Sequence, residues 1–167
     1  GDQIAKLENG IQVKTICLPW SFSINNLWGS SSNSLYIVGD AGIIAQYNGT
    51  TWTKIESGTT TNLLDVWGSG SDGAVWVSGK TDFDPTVLYK ISNLTPLKMY
   101  ESYASPGPFN PQKISGKISS IWTNNNREVY LLTYYGVYKY KSEVDGKAEL
   151  FLNIGNGGNW GLEKKIR

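Results

Sequence analysis

The chain has 167 residues, a formal net charge of +1 and 17% charged residues, so it carries no electrostatic footprint for nucleic acid or an anionic membrane surface. It contains no histidine, one cysteine (Cys17) and arginine only at Arg127 and Arg167. These counts exclude Ser-His-Asp and Cys-His catalysis, histidine-built metal sites and an internal disulfide within the chain, and no apolar run approaches the roughly 20 residues of a membrane helix.

In chain order, the first element is Ile4-Ala5-Lys6-Leu7, followed by an Asn9-Gly10 turn and a strand from Gln12 to Leu18. Asn-Gly tolerates positive φ at both positions and is the strongest short-range hairpin signal. The next stretch, 24–57, holds four short apolar runs: NNLWG, SLYIVG, IIAQY and TWTKI. Turn chemistry separates them at 30–33, at Gly39-Asp40-Ala41-Gly42 and at Asn48-Gly49. Four strands joined by three tight turns predict an up-and-down antiparallel sheet.

The pattern recurs. NLLDVWG at 62–68 and AVWVSG at 74–79 match the first two runs, with third and fourth strands expected at 86–91 (TVLYKI) and 97–103 (LKMYESY). This second unit carries two insertions, KTDFDP at 80–85 and the proline-rich ASPGPFNPQK at 104–113. Proline cannot donate to a ladder, so the latter reads as a surface loop. KISSIWT at 117–123 and EVYLLT at 128–133 open a third unit, and VYKYK at 137–141 alternates as a half-buried strand should.

Trp28, Trp67 and Trp122 anchor the copies, about 39 and 55 residues apart, against a period of roughly 40 to 45 residues for four-stranded propeller blades. The predicted fold is all-β: a β-propeller section of four-stranded antiparallel blades. Its units are a half blade (1–20), blades at 24–57, 62–103 and 117–154, and the first strand of a further blade at 160–167. The opening Gly1 fits a processed or excised segment. Open edges favour a section of a larger ring of roughly six to eight blades over a strained four-blade ring. Exposed faces then call for a neighbouring polypeptide completing the propeller, or for self-association. The recurrent tryptophans are expected in the inter-blade core.

The pattern L-W-G-x-x-x-N-x-L-Y-I-V-G-D-x-G-x-I-x-x-Y-N-G-x-x-W, best over 27–52 and looser over 118–140, resembles repeats of bacterial secreted β-propellers of the BNR-like and photosystem II assembly factor type. The resemblance implies an extracellular, periplasmic or cell-surface setting and is nearly silent on activity, because propellers serve as enzymes, lectins, adhesins and scaffolds. Ser71-Asp72-Gly73-Ala74-Val75-Trp76 resembles the Asp-box of sialidase-type propellers but lacks its intervening residues. Such enzymes also need an arginine cluster, and two arginines are too few.

In a four-stranded meander the connections after strands two and four emerge at the same end. That places Asp82, Phe83 and Asp84 near Tyr103, Phe109 and Asn110, where exposed aromatics beside acids suit glycan or peptide recognition. Asp82 and Asp84 also have the chemistry for glycosidic acid/base work or Ca²⁺ ligation, against the plainer reading of a solvated acidic turn. Asp40, Asp65 and Asp72 are expected as turn caps, and the N-x-T sites at Asn48 and Asn93 as turn residues. No cofactor, metal or catalytic residue is called for. The expected function is a non-catalytic binding or scaffold propeller with a protein or glycan ligand. A carbohydrate-binding propeller, or part of a polysaccharide-active hydrolase or lyase, is the alternative.

Overall fold

A computed structural model of the protein describes residues 3–68, 73–80, 86–102, 114, 116–124, 128–133, 135–140 and 148–153. Among the described residues, fourteen strands fall into one two-stranded and three four-stranded sheets, and every pairing is antiparallel between sequence neighbours. β1 (Gln3–Glu8) pairs with β2 (Ile11–Cys17). Blade 1 comprises β3 (Ile24–Ser31), β4 (Ser34–Gly39), β5 (Ile43–Tyr47) and β6 (Trp52–Glu56). Blade 2 comprises β7 (Leu63–Gly68), β8 (Val75–Gly79), β9 (Thr86–Ser92) and β10 (Thr95–Ser102). Blade 3 comprises β11 (Ile118–Thr123), β12 (Val129–Thr133), β13 (Gly136–Tyr140) and β14 (Ala148–Asn153). The first strands β3, β7 and β11 lie side by side, so each sheet runs outward from a common line. This is the architecture of propeller blades.

Turn residues set the hairpins. Asn9 and Gly10 (φ 51° and 78°) form a two-residue turn between paired Glu8 and Ile11. Asn93 and Leu94 (φ 50° and 62°) do the same between Ser92 and Thr95. Asn48-Gly49 works differently: only Gly49 has positive φ, at 98°. The Asn48 carboxamide oxygen accepts from the Thr50 and Thr51 amides at 3.0 and 2.9 Å, closing a four-residue loop between paired Tyr47 and Trp52. β10 begins at Thr95 and so takes in Pro96, which a strand tolerates because β10 is the outermost member of its sheet.

Packing between blades supplies the core. Tyr36, Val38, Ile44 and Ile55 of blade 1 meet Leu63, Val66, Val77 and Tyr89 of blade 2 in one buried cluster. Trp76 and Leu88 of blade 2 meet Ile121, Leu131, Tyr138 and Tyr140 of blade 3 in another, with the Trp76 and Tyr140 rings 5.7 Å apart edge to face. The other side of blade 1 is covered by Ile4 of β1 and by Leu18, Trp20 and Phe22 of the connection from β2 to β3, which pack against Ile37, Ala45 and Trp52. Full burial of an aliphatic or aromatic side chain contributes roughly 1.5–3 kcal/mol, against about 0–1 kcal/mol for an exposed ion pair. The pairs Lys6–Glu8, Lys54–Glu56 and Lys98–Glu101 are all exposed, so apolar packing decides the stability.

Of the recurrent tryptophans, only Trp28 packs against the inter-blade core. Trp28 is partly buried, whereas Trp67 and Trp122 are 36% and 50% exposed. They sit on the innermost strands, where blades approach too closely for an indole to lie between two full side chains. A Cβ on Gly68 would fall 2.1 Å from the Trp28 ring, so the bare glycine of blade 2 is what seats it. The place of Gly68 in blade 3 is taken by Thr123, which has a side chain, and Trp67 has no such seat. The buried inter-blade aromatics are instead their cross-strand partners, Tyr36 and Trp76.

Two substitutions test this account. Leu94→Gly relieves a left-handed backbone at an exposed leucine and is expected to stabilise by about 1 kcal/mol in urea denaturation. Gly68→Ala is expected to destabilise by about 1–3 kcal/mol through overpacking, and the penalty should shrink when Trp28 is also alanine, a coupling that a double-mutant cycle reads directly.

Candidate functional site

Asp82, Phe83, Asp84, Tyr103, Phe109 and Asn110 all lie outside the described residues. What the structure places are the anchor points of their two segments. Gly79 pairs with Leu63 and Val87, and Thr86 pairs with Ser102, so the first insertion leaves and returns, and the second leaves toward blade 3, at one end of blade 2. Asp72 is also outside the described residues.

Asp65 departs from the turn-cap expectation, because it lies within β7 and joins three blades. One carboxylate oxygen accepts from the Asn26 carboxamide of blade 1, the other from the Ile121 amide of blade 3 at 2.6 Å. Burial raises its pKa, and hydrogen bonds from the Ile121 amide, the Ser120 side chain and the Val66 amide oppose the rise without cancelling it. Asp40 does act beside a turn, accepting from Asn25 Nδ2 at 2.9 Å. The same Asn25 nitrogen reaches the Leu63 carbonyl of blade 2 at 2.8 Å. Asn62 Oδ1 accepts from the Ala41 amide across the same boundary at 3.0 Å. These polar groups stitch blades and face no open site.

Among the described residues, an open site lies on the outer face of blade 3. Ser120, Trp122, Tyr130, Leu132, Val137 and Phe151 line a shallow apolar concavity of about 540 Å³. Strand register explains its chemistry. Trp28, Trp67 and Trp122 hold one position of the repeat, opposite Tyr36, Trp76 and Tyr130. Val38, Ser78 and Leu132 hold the next, opposite Ile44, Leu88 and Val137. Val38, Ser78, Ile44 and Leu88 are fully buried by the following blade, whereas Leu132 is 37% exposed, and beside it Leu152 is 47% and Phe151 61% exposed. The blade 3 face is the same packing surface, and no described residue covers it as the following blade covers those of blades 1 and 2.

A charged rim borders it. Glu128 pairs with Lys139, and its second oxygen accepts from Asn124 at 2.6 Å and from the Tyr130 hydroxyl at 3.1 Å. Lys139 also stands 5.9 Å from the centre of the Tyr130 ring. The Lys139 ammonium first, then the Asn124 amide, lowers the Glu128 pKa to about 2. Among the described residues no cluster of histidine, cysteine, aspartate or glutamate is arranged to hold a metal, and no helix is long and apolar enough to cross a membrane. Sequence reasoning missed this face because its residues look like those of blades 1 and 2; only the absence of a cover distinguishes them.

No protein-family model matches the chain, and no curated protein matches it. One solved structure, described as YCF48 bound to D1 peptide, superposes with a TM-score of 0.58 at 15% sequence identity, over 88% of this chain and 42% of that one. The likeness establishes a shared β-propeller fold. The chain spans about two-fifths of the length of the protein it resembles.

Asp65→Ala strands the Ile121 amide and the Asn26 carboxamide, and is expected to cost about 1–3 kcal/mol in denaturant unfolding. A carboxyl whose folded pKa is raised stabilises fully below its unfolded value of about 3.9 and loses that contribution as pH climbs through the raised one. Asp65→Asn, neutral throughout, should therefore gain on the parent as pH rises above about 4. Glu128 has the opposite sign: its contribution is present above about 4.3 and fades as pH falls through the lowered value. A carboxyl NMR titration should place Glu128 at about 2, and Lys139→Met should return it toward the ordinary glutamate range.

Proposed function

We propose that the chain is a non-catalytic β-propeller binding module that holds a protein partner. The observation that carries this reading is the uncovered apolar face of blade 3, rimmed by an ion pair and presenting Trp122 and Phe151 half or more exposed. Exposed apolar patches with a polar rim mark protein contact surfaces, and aromatic residues supply most of the energy in such contacts. That a protein of this fold is solved with a peptide bound supports the same class of activity. The repeat pattern supports a bacterial extracellular, periplasmic or cell-surface setting. The common anchorage of the two insertions supports a second, loop-borne contact through Asp82, Phe83, Asp84, Tyr103, Phe109 and Asn110.

Panning the folded chain against displayed peptides should recover sequences rich in apolar side chains. Trp122→Ser with Phe151→Ser should weaken their binding at least about tenfold, the equivalent of 1.4 kcal/mol. Alanine at Phe83, Tyr103 and Phe109 should weaken whatever ligand uses the loops. Binding confined to a glycan array, or turnover of a polysaccharide, would overturn the reading in favour of a carbohydrate-active propeller.

A further inference from the structure

Two of the hairpin turns are built from the same dipeptide in different ways. Asn9-Gly10 and Asn48-Gly49 are both Asn-Gly, the pair in which glycine, lacking a Cβ, leaves its own nitrogen least hindered. That nitrogen is a latent nucleophile. When it attacks the carboxamide carbon of the preceding asparagine, a five-membered succinimide forms. The carboxamide C–N bond breaks, and its nitrogen leaves as ammonia with the proton given up by the glycine amide. Water then adds to one of the two ring carbonyls and yields aspartate or isoaspartate. Hydroxide draws off the glycine proton, so the rate climbs with pH.

The reaction is intramolecular and is governed by whether the side chain is free to swing onto the next nitrogen. At Asn48 it is held. Its Oδ1 accepts from the Thr50 and Thr51 amides at 3.0 and 2.9 Å, and its own amide donates to the Thr51 carbonyl at 3.1 Å. The Gly49 peptide is fixed as well: the Tyr47 hydroxyl donates to its carbonyl at 2.5 Å, and a Cβ on Gly49 would stand 3.0 Å from Asn33. At Asn9 the turn has only two residues. Glu8 already pairs with Ile11, so no further loop amide follows for the Asn9 carboxamide to hold. In a two-residue turn the central glycine N–H also lies outside the ladder, which leaves the nucleophile out of the strand hydrogen bonding.

We propose that Asn9 is a site of spontaneous deamidation that loosens the tip of the β1–β2 hairpin, whereas Asn48 is protected by its own loop. Either product places a new carboxylate beside Glu8, which pairs with Lys6 at 2.7 Å. Isoaspartate also carries the main chain through the side-chain carbon and lengthens it by one atom. A two-residue turn at φ 51° and 78° takes up that atom only by a shift of register. The β1–β2 pairing already shifts between Lys6 and Leu7, so the segment beyond that point, 7–12, is the part that gives way.

Holding the folded chain in neutral and in mildly alkaline buffer, then mapping its peptides by mass spectrometry, tests this. Cleavage after lysine separates Asn9 from Asn48, and from Asn156-Gly157, which lies outside the described residues. In the folded chain Asn9 is expected to convert at least roughly tenfold faster than Asn48, the factor that two hydrogen bonds imply, and faster still as pH rises. In denaturant the two rates are expected to converge. Equal rates in the folded chain overturn the proposal, as does a difference that survives in denaturant, which would belong to the neighbouring sequence and not to the fold. Hydrogen exchange on the aged chain reads the loosening: faster exchange at 7–12 with blade 1 unchanged is expected, and unchanged exchange at 7–12 overturns it. Asn9→Gly keeps a turn-compatible residue without a carboxamide and should hold the fresh-chain exchange pattern throughout; loosening in that variant too would overturn the assignment to Asn9.

Discussion

A four-stranded sheet has two faces, and its own strands can cover neither. That constraint organises the molecule. Each blade is stable only because another lies against it, and the described core consists of three layers of such contacts: β1–β2 on blade 1, blade 1 on blade 2, and blade 2 on blade 3. The hairpins are local and form by turn chemistry, but their apolar residues reach water-free surroundings only when stacked. Exposed ion pairs on the outer strands add little beside this burial.

Where sheets converge, the packing rule changes from area to fit. Near the common line of first strands there is room for a tryptophan only over a residue without a side chain, as Trp28 lies over Gly68. The polar groups there must also be satisfied in unison. Asp65 answers a side chain on one neighbour and a main-chain amide on the other, so a carboxylate that burial disfavours is held by donors from both sides. A half-satisfied version would be worse than an apolar residue, which is why the three blades have to be in place together.

The sheets were legible in the residues because two signals agreed: Gly, Asn and Asp at the turns, and apolar runs of strand length between them. Asn9-Gly10 and the Gly39–Gly42 stretch announced their turns without help from the rest of the chain. The role of the tryptophans was not legible. An indole that recurs once per repeat looks like core, and only the glycine across the boundary, about 40 residues away, shows that it is seated on an inner strand. Asp65 looked like a turn residue because its partners, Asn26 and Ile121, belong to other repeats. The open face of blade 3 was illegible for the same reason. Exposure is a property of what lies next to a residue, and Leu132 is written no differently from Val38.

The outer margin of blade 2 has a consequence for how such a molecule can grow. β10 carries Pro96, a register shift between Lys98 and Tyr100, and the exposed Lys98–Glu101 pair. A missing donor, a bend and two charges spoil the template that a flat rim would offer to a stray strand. Ribbon-like accretion along that border is therefore discouraged.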